Sequence, residues 1–309
     1  MRIISDKEIR DLKITPSQCI EWVREAFLIK DQCQLPPKIS LHPTGSDFIN
    51  TMPCLLPEQF HTFGCKIVSR IQGSEPSLKS NLLIVNSSTG NLEALLECDW
   101  ITAYRTGAVA ALAIDTFKNS KSSVYSFIGL GVIGKATLDC FLSLYGDSEI
   151  TVKLYNYKDH AFKIIDLFAT KYPKVNFEIV EGIEALINDA DVVVSCISYV
   201  RDLLVNDDNL FKPGVLVVPV HTRGFQNCDL FFDKVFADDE GHVKGFKYYD
   251  KFKNFGEISE VLQKKIIGRD NDEERILSYN IGLGLHDIYF GFNILNKLNK
   301  YSGIKDTGI

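Results

Sequence analysis

The sequence predicts an α/β protein built on a doubly wound parallel sheet, preceded by a mixed α+β region. Three observations carry that prediction. From Ser122 onward, apolar strand-like runs alternate with helical stretches, the order that gives parallel strands joined by right-handed crossovers. The first of these runs, SVYSFI, passes directly into Gly129-Leu-Gly131-Val-Ile-Gly134 and the helix-compatible KATLDCFLSL. Before Asp99, short apolar runs are instead separated by Gly, Pro, Asn and Ser, the punctuation of a mixed or antiparallel sheet.

Taken in order, TPSQCIEWVREAFLIK from Thr15 predicts an amphipathic helix, with Pro16 at the first helical position and Ile20, Val23 and Phe27 at three- and four-residue steps. Pro36-Pro37 ends that stretch. Strands are expected at Lys38 to His42, Phe48 to Met52, Thr62 to Ile71 and Leu82 to Val85, with Asn86-Ser-Ser-Thr-Gly90 as turn chemistry. Asp99 opens WITAYRTGAVAALAIDTF, rich in Ala, Leu and Ile and predicted helical. The alternating region then reads SVYSFIGLG, a helix through Leu144, TVKLYNY, a helix through Lys171, VNFEIV, a short helix, DVVVSCIS and GVLVVPV. The lysine-rich stretch 244–253 is expected to be solvated and mobile, and Glu273 to Tyr301 to be helical.

The chain has 309 residues, enough for two medium domains. Its net charge of -6 comes without a basic stripe or aromatic-interleaved Lys/Arg cluster, which excludes phosphate-neutralising nucleic-acid binding and attraction to anionic membranes. Cysteines at 19, 33, 54, 65, 98, 140, 196 and 228 form no C-x-x-C pair and have no histidine at zinc-site spacing. They read as reduced thiols, with no metal site. The N-terminus becomes charged after four residues, and no run approaches a membrane span of about 18 apolar residues. A cytoplasmic protein is expected.

The glycine series has a mechanical reading. The first glycine permits a tight turn, the second lets backbone approach a pyrophosphate, and the third allows close packing of helix on strand. With a strand before, a helix after and TVKLYNY about twenty residues on, this is a dinucleotide-binding (Rossmann-type) arrangement. An NAD site usually has Asp or Glu at the end of the second strand. Here that end is Tyr155-Asn156-Tyr157-Lys158. Asn156 suits a ribose hydroxyl and Lys158 a 2′-phosphate, so NAD and NADP both stay open.

Asp99-Trp-Ile-Thr-Ala-Tyr-Arg105-Thr-Gly-Ala108, with Met52-Pro53, Lys66, Pro76-Ser77 and Ser88-Thr-Gly90 before it and Pro213-Gly214 and Tyr279-Asn-Ile-Gly282 to Asp287 after it, resembles the ornithine cyclodeaminase/mu-crystallin family over most of the chain. The resemblance implies a substrate-binding and dimerisation domain at 1–118 completed by the C-terminal helix at 288–309, a Rossmann domain at 119–287, and a homodimer. It implies a substrate carboxylate held by Lys66 and Arg105, both of them catalytic, with Lys38, Met52 and Ser77 also at the substrate. A guanidinium grips a carboxylate bidentately and an ammonium adds charge and a proton source; Lys38 stands where the family has a second arginine and lacks that planar fork. Cofactor contacts are expected at Thr106, Gly129, Gly131, Val132, Ile133, Asn156, Tyr157, Lys158, Ser198, Val220 and His221. His221 is also a candidate proton donor to a nascent amine.

The chain departs from the family after Pro213-Gly214. Where ornithine cyclodeaminase has the aspartate on which ammonia loss and ring closure depend, an ungapped count reaches Arg223; Asp229 substitutes only if the loop runs differently. The expected activity is therefore hydride transfer between NAD(P)H and the carbon of a small amino acid or its imine. A cyclodeaminase-type lyase recycling NAD is the alternative, and a non-catalytic ligand-binding protein a third reading.

Overall fold

The computed structural model describes residues 1–301 other than 46, 77 and 199. The elements follow in chain order: β1 (Arg2–Ile4), α1 (Asp6–Asp11), α2 (Pro16–Leu28), β2 (Ile39–Leu41), β3 (Phe48–Leu55), β4 (Thr62–Arg70), β5 (Leu78–Asn86), β6 (Leu92–Glu97) and α3 (Asp99–Phe117). Next come β7 (Val124–Ile128), α4 (Val132–Tyr145), β8 (Ile150–Tyr155), α5 (His160–Phe168), β9 (Val175–Val180), α6 (Ile183–Ile187), β10 (Val192–Ser195) and β11 (Leu216–Pro219). The chain continues with α7 (Cys228–Phe231), β12 (Lys234–Ala237), α8 (Glu240–Val243), β13 (Gly256–Glu257), α9 (Ile258–Leu262), β14 (Ile276–Tyr279) and α10 (Gly284–Tyr301). Two compact units result, Met1–Arg105 with Leu283–Ile309, and Thr106–Gly282.

The first unit holds a six-stranded sheet in the order β1-β6-β5-β4-β3-β2. β1 runs parallel to β6 and the other pairs are antiparallel. Local chemistry sets the helix starts: Ser5 and Thr15 each cap a helix reciprocally with the residue three further on, Glu8 and Gln18, and Pro16 occupies the first turn. Thr62, Gly64, Lys66 and Val68 alternate inward on β4, and α10 packs against β3, β4, β5 and α2. Its approach needs small residues. A Cβ on Gly64 would stand 2.5 Å from Ile288 Cγ1, and one on Gly291 2.7 Å from Leu82 Cδ2. The Trp22 and Phe290 rings meet edge to face at 5.1 Å, an arrangement aromatic pairs favour.

The second unit holds eight strands in the order β13-β12-β14-β11-β10-β7-β8-β9, all parallel. β10, β11, β12 and β14 are buried at every residue, as strands covered on both faces must be. The strand order reverses direction around β7 and β10, the switch point beside which doubly wound sheets bind ligands.

Two expectations are corrected. Glu273 to Tyr301 is not one helix, because Ile276–Tyr279 is the central strand β14 between β11 and β12; position inside a parallel sheet overrides a run too short to declare its period. The stretch 244–253 is not merely solvated: Phe246, Tyr249 and Phe252 pack on the core around Phe211 and Tyr279. Its lysines lie between aromatic anchors.

Candidate active site

In the first unit, adjacent strands bring three candidates into one lateral row. Met52 on β3 pairs with Lys66 on β4, and the β2–β3 register Ile39↔Thr51 carries Lys38, one residue before β2, into line with them. Cross-strand neighbours share a face. Lys66 is fully buried and Met52 nearly so, whereas Lys38 is half-buried. Ser77 lies outside the described residues.

The Lys66 ammonium does not stand alone. Its Nζ lies 2.7 Å from Asp287 Oδ2, and Arg105 Nε donates to Asp287 Oδ1 at 3.0 Å. The structure thus joins Lys66 and Arg105 through one carboxylate, fully buried in the first turn of α10, where the positive end of the helix dipole favours a negative group. Two cations against one carboxylate leave a surplus of one positive charge. Burial above all, and then the neighbouring Arg105, push the Lys66 pKa down, while Asp287 opposes the shift. A lysine so placed releases its proton more readily than one in water. Cys98 faces the same cluster, and burial raises its thiol to about 12, so it is no thiolate nucleophile at neutral pH.

Asp287 is the functional residue the sequence did not single out; it appears there only as the end of a matching segment. The sole local signal is an acid in the opening turn of an apolar helix. Its partners lie 221 positions back for Lys66, by subtraction (287 − 66), and 182 for Arg105.

In the second unit the glycine loop has the three properties its spacing demands. Gly129 has φ +86, and a Cβ there would meet the Cys196 carbonyl carbon at 2.5 Å. Gly131 caps α4 without a side-chain bond and has open space where its Cβ would be. Gly134 lies so near the loop that a Cβ would reach the Gly129 carbonyl oxygen at 2.2 Å. Val132 is exposed and Ile133 half-buried in the first turn of α4, and Thr106 lies within α3. At the end of β8, Asn156 has a buried Oδ1 that accepts no hydrogen bond, a state a donor such as a ribose hydroxyl would relieve. Tyr157 and Lys158 are exposed beside it, with Lys158 Nζ 5.2 Å from the Tyr157 ring centre. The open amides at α4 and the buried Asn156 oxygen fit a dinucleotide.

Ser198 follows β10 as an exposed residue, and Val220 and His221 follow β11 half-buried. His221 Nε2 and the Ser195 Oγ are 2.6 Å apart. Burial lowers the imidazole to about 4, so at neutral pH the ring is uncharged. That state disfavours an imidazolium as proton donor. Asp229 is almost fully buried in α7, and its Oδ1 accepts from the Tyr279 hydroxyl at 2.7 Å. Arg223 stands exposed in the loop.

The sequence profile described as the ornithine cyclodeaminase/mu-crystallin family matches residues 3–300. Among characterised relatives, the nodulation efficiency protein NfeD of Rhizobium meliloti is 27% identical over 272 residues, 84% of this chain and 83% of that protein. Among solved structures, a Thermococcus litoralis Δ1-pyrroline-2-carboxylate reductase in complex with NADH and L-proline superposes with a TM-score of 0.85 at 20% identity, covering 98% of both chains. An archaeal alanine dehydrogenase dimer with bound NAD gives 0.84 at 20% identity, covering 97% of this chain and 96% of that one. These likenesses show the same fold over nearly the whole length. Among the described residues, no helix is long and apolar enough to cross a membrane.

Proposed function

The chain belongs to the ornithine cyclodeaminase/mu-crystallin family, and from that premise we propose that it is an NAD(P)-dependent oxidoreductase, transferring hydride to or from a small amino acid or its imine. The observation that carries this reading is the buried Lys66–Asp287–Arg105 cluster. Arg105 engages Asp287 through Nε, and we assign the rest of its guanidinium to a substrate carboxylate. The surplus positive charge of the cluster favours that anion. Lys66, its proton loosened by burial, protonates the imine nitrogen and makes the adjacent carbon a better hydride acceptor; in the oxidative direction it takes the proton back. Asp287 fixes the orientation of both cations. Met52 stands beside Lys66 in the cross-strand row, and Lys38 beside Met52.

When bound, the nicotinamide supplies or accepts the hydride. Gly129, Gly131, Val132 and Ile133 would hold its pyrophosphate, and Asn156 would take a ribose hydroxyl. Domains 1–118 with 288–309, and 119–287, are the functional division we assign, the first serving substrate and dimer. A homodimer is supported by the dimeric alanine dehydrogenase of the same fold, and a cytoplasmic location by the eight cysteines, all thiols. The pyrroline-carboxylate reductase and alanine dehydrogenase among the structural relatives support imine or amino acid chemistry. Cyclodeamination is not favoured, because Arg223 stands at the aspartate position and Asp229 is bound to Tyr279.

The test is to titrate the purified protein with NADH and NADPH, then follow nicotinamide absorbance with cyclic imines and with oxo acid plus amine pairs. Cofactor consumption is expected. Ammonia release from a diamino acid without net cofactor change would overturn the reading.

A further inference from the structure

Beyond the carboxyl ends of β10, β11 and β12, the second unit contains a cavity of about 750 Å³. That volume lies within the range of small-molecule sites, and its edge of the sheet is the one where doubly wound folds bind ligands. Its wall carries Arg201, Arg223 and Lys247 against one carboxylate, Asp202. Arg223 and Lys247 outnumber that carboxylate, in a chain whose overall charge is -6. Phe246 and Tyr248 supply apolar wall.

The loops that bear these cations are held in place. Leu204 N donates to the Gly224 carbonyl at 2.9 Å, and Asn227 Nδ2 donates to Asp208 Oδ1 at 2.6 Å. Gly224, directly after Arg223, has φ +105, and a Cβ there would meet Val200 Cγ1 at 3.0 Å and Leu204 Cγ at 3.2 Å. Phe225 is buried beneath it. Arg223 thus extends from a backbone turn anchored directly after it, so the loop itself needs little reordering when an anion arrives.

We propose that this cavity is a binding site for a compact organic anion with a short carbon body, whose carboxylate or phosphate is gripped by Arg223 with support from Lys247. The anion is a small effector, separate from the substrate.

Two measurements decide it. Thermal-shift titrations with succinate, inorganic phosphate and propionate compare the wild-type protein with Arg223→Ala and Lys247→Ala; both side chains are exposed, so the variants fold. Succinate or phosphate is expected to stabilise the wild type, with affinity about 10- to 100-fold weaker in Arg223→Ala, the range of one charge-assisted hydrogen bond. Kinetics with imines of pyruvate and of 2-oxoglutarate form the second arm. Succinate that alters turnover without competing against either imine is the expected result; succinate that competes overturns the effector assignment. Absence of any anion-dependent shift in the wild type, or shifts in both variants identical to those of the wild type, overturns the proposal. The thermal arm stands even if no imine is reduced, so failure of the catalytic reading is told apart from failure of this one.

Discussion

Replacing Lys66 by methionine separates the chemistry of the buried cluster from its contribution to stability. The side chain is fully buried and pairs with Asp287 at 2.7 Å. Methionine fills a similar volume without charge. Asp287 keeps Arg105 at 3.0 Å, so the cluster falls from a net charge of +1 to a balanced pair. The lost charge-assisted bond costs about 1.5–3 kcal/mol, while relief of a buried ammonium's desolvation returns several kcal/mol. Net stability should therefore change by no more than about 2 kcal/mol in urea unfolding. Turnover should not survive so well: loss of a positioned proton source costs about 10²- to 10⁴-fold, or about 3–5 kcal/mol of barrier. The assay is steady-state NAD(P)H oxidation with the best imine found, beside urea midpoints of the same preparations. A Lys66→Met enzyme with full turnover would refute the assignment of Lys66 as proton donor.

Asp287→Asn should behave in the opposite way, leaving two buried cations without their counter-charge and lowering stability by about 3–5 kcal/mol, measured by the same unfolding curves. Gly134→Ala forces a Cβ against the Gly129 carbonyl at 2.2 Å and should cost about 1–3 kcal/mol or more. Gly131→Ala, which meets nothing, should leave the melting temperature unchanged while weakening NADH binding, read by fluorescence titration. Two buried groups titrate in opposition. His221, lowered from 6.5 to about 4, binds more protons unfolded than folded in that window, so its contribution to stability is lost as pH falls from 6.5 toward 4. Asp229, raised from 3.8 to about 7 by burial, binds more protons folded, so its contribution is lost as pH rises from 3.8 to 7. Urea midpoints between pH 4 and 7 should thus vary little in the wild type, fall with pH in His221→Asn and rise with pH in Asp229→Asn; parallel profiles in all three would show that neither group is so perturbed.

The parts of this fold that were legible in the sequence are those where local chemistry decides the outcome. The glycine loop declared itself because only glycine tolerates φ +86 at position 129 and the close approach at 134. Thr15 and Pro16 announced α2 because a cap and a first-turn proline act within four residues. β14 was not legible: Ile276–Tyr279 is a four-residue apolar run, and what makes it a strand is the space between β11 and β12. In 244–253 the lysines concealed aromatic anchors at three-residue steps, Phe246, Tyr249 and Phe252. Lys66 and Arg105 were named from a resemblance, but the carboxylate that joins them was not, since no pattern near Asp287 refers to residues so distant.

That distance has a consequence for biosynthesis. Asp287 follows Arg105 by 182 residues, and at a synthesis rate of roughly 5–20 residues per second the gap amounts to roughly 9–36 s. During that time the six-stranded sheet has emerged from the ribosome with two cations destined for burial and no anion to meet them. The surface of β3, β4 and β5 that α10 later covers is open as well. The intervening segment, residues 106–282, emerges with its own parallel strands complete and is free to fold first. The unit that begins the chain is therefore the last to finish, and a message truncated shortly before codon 283 leaves the amino-terminal sheet with neither its covering helix nor its counter-charge.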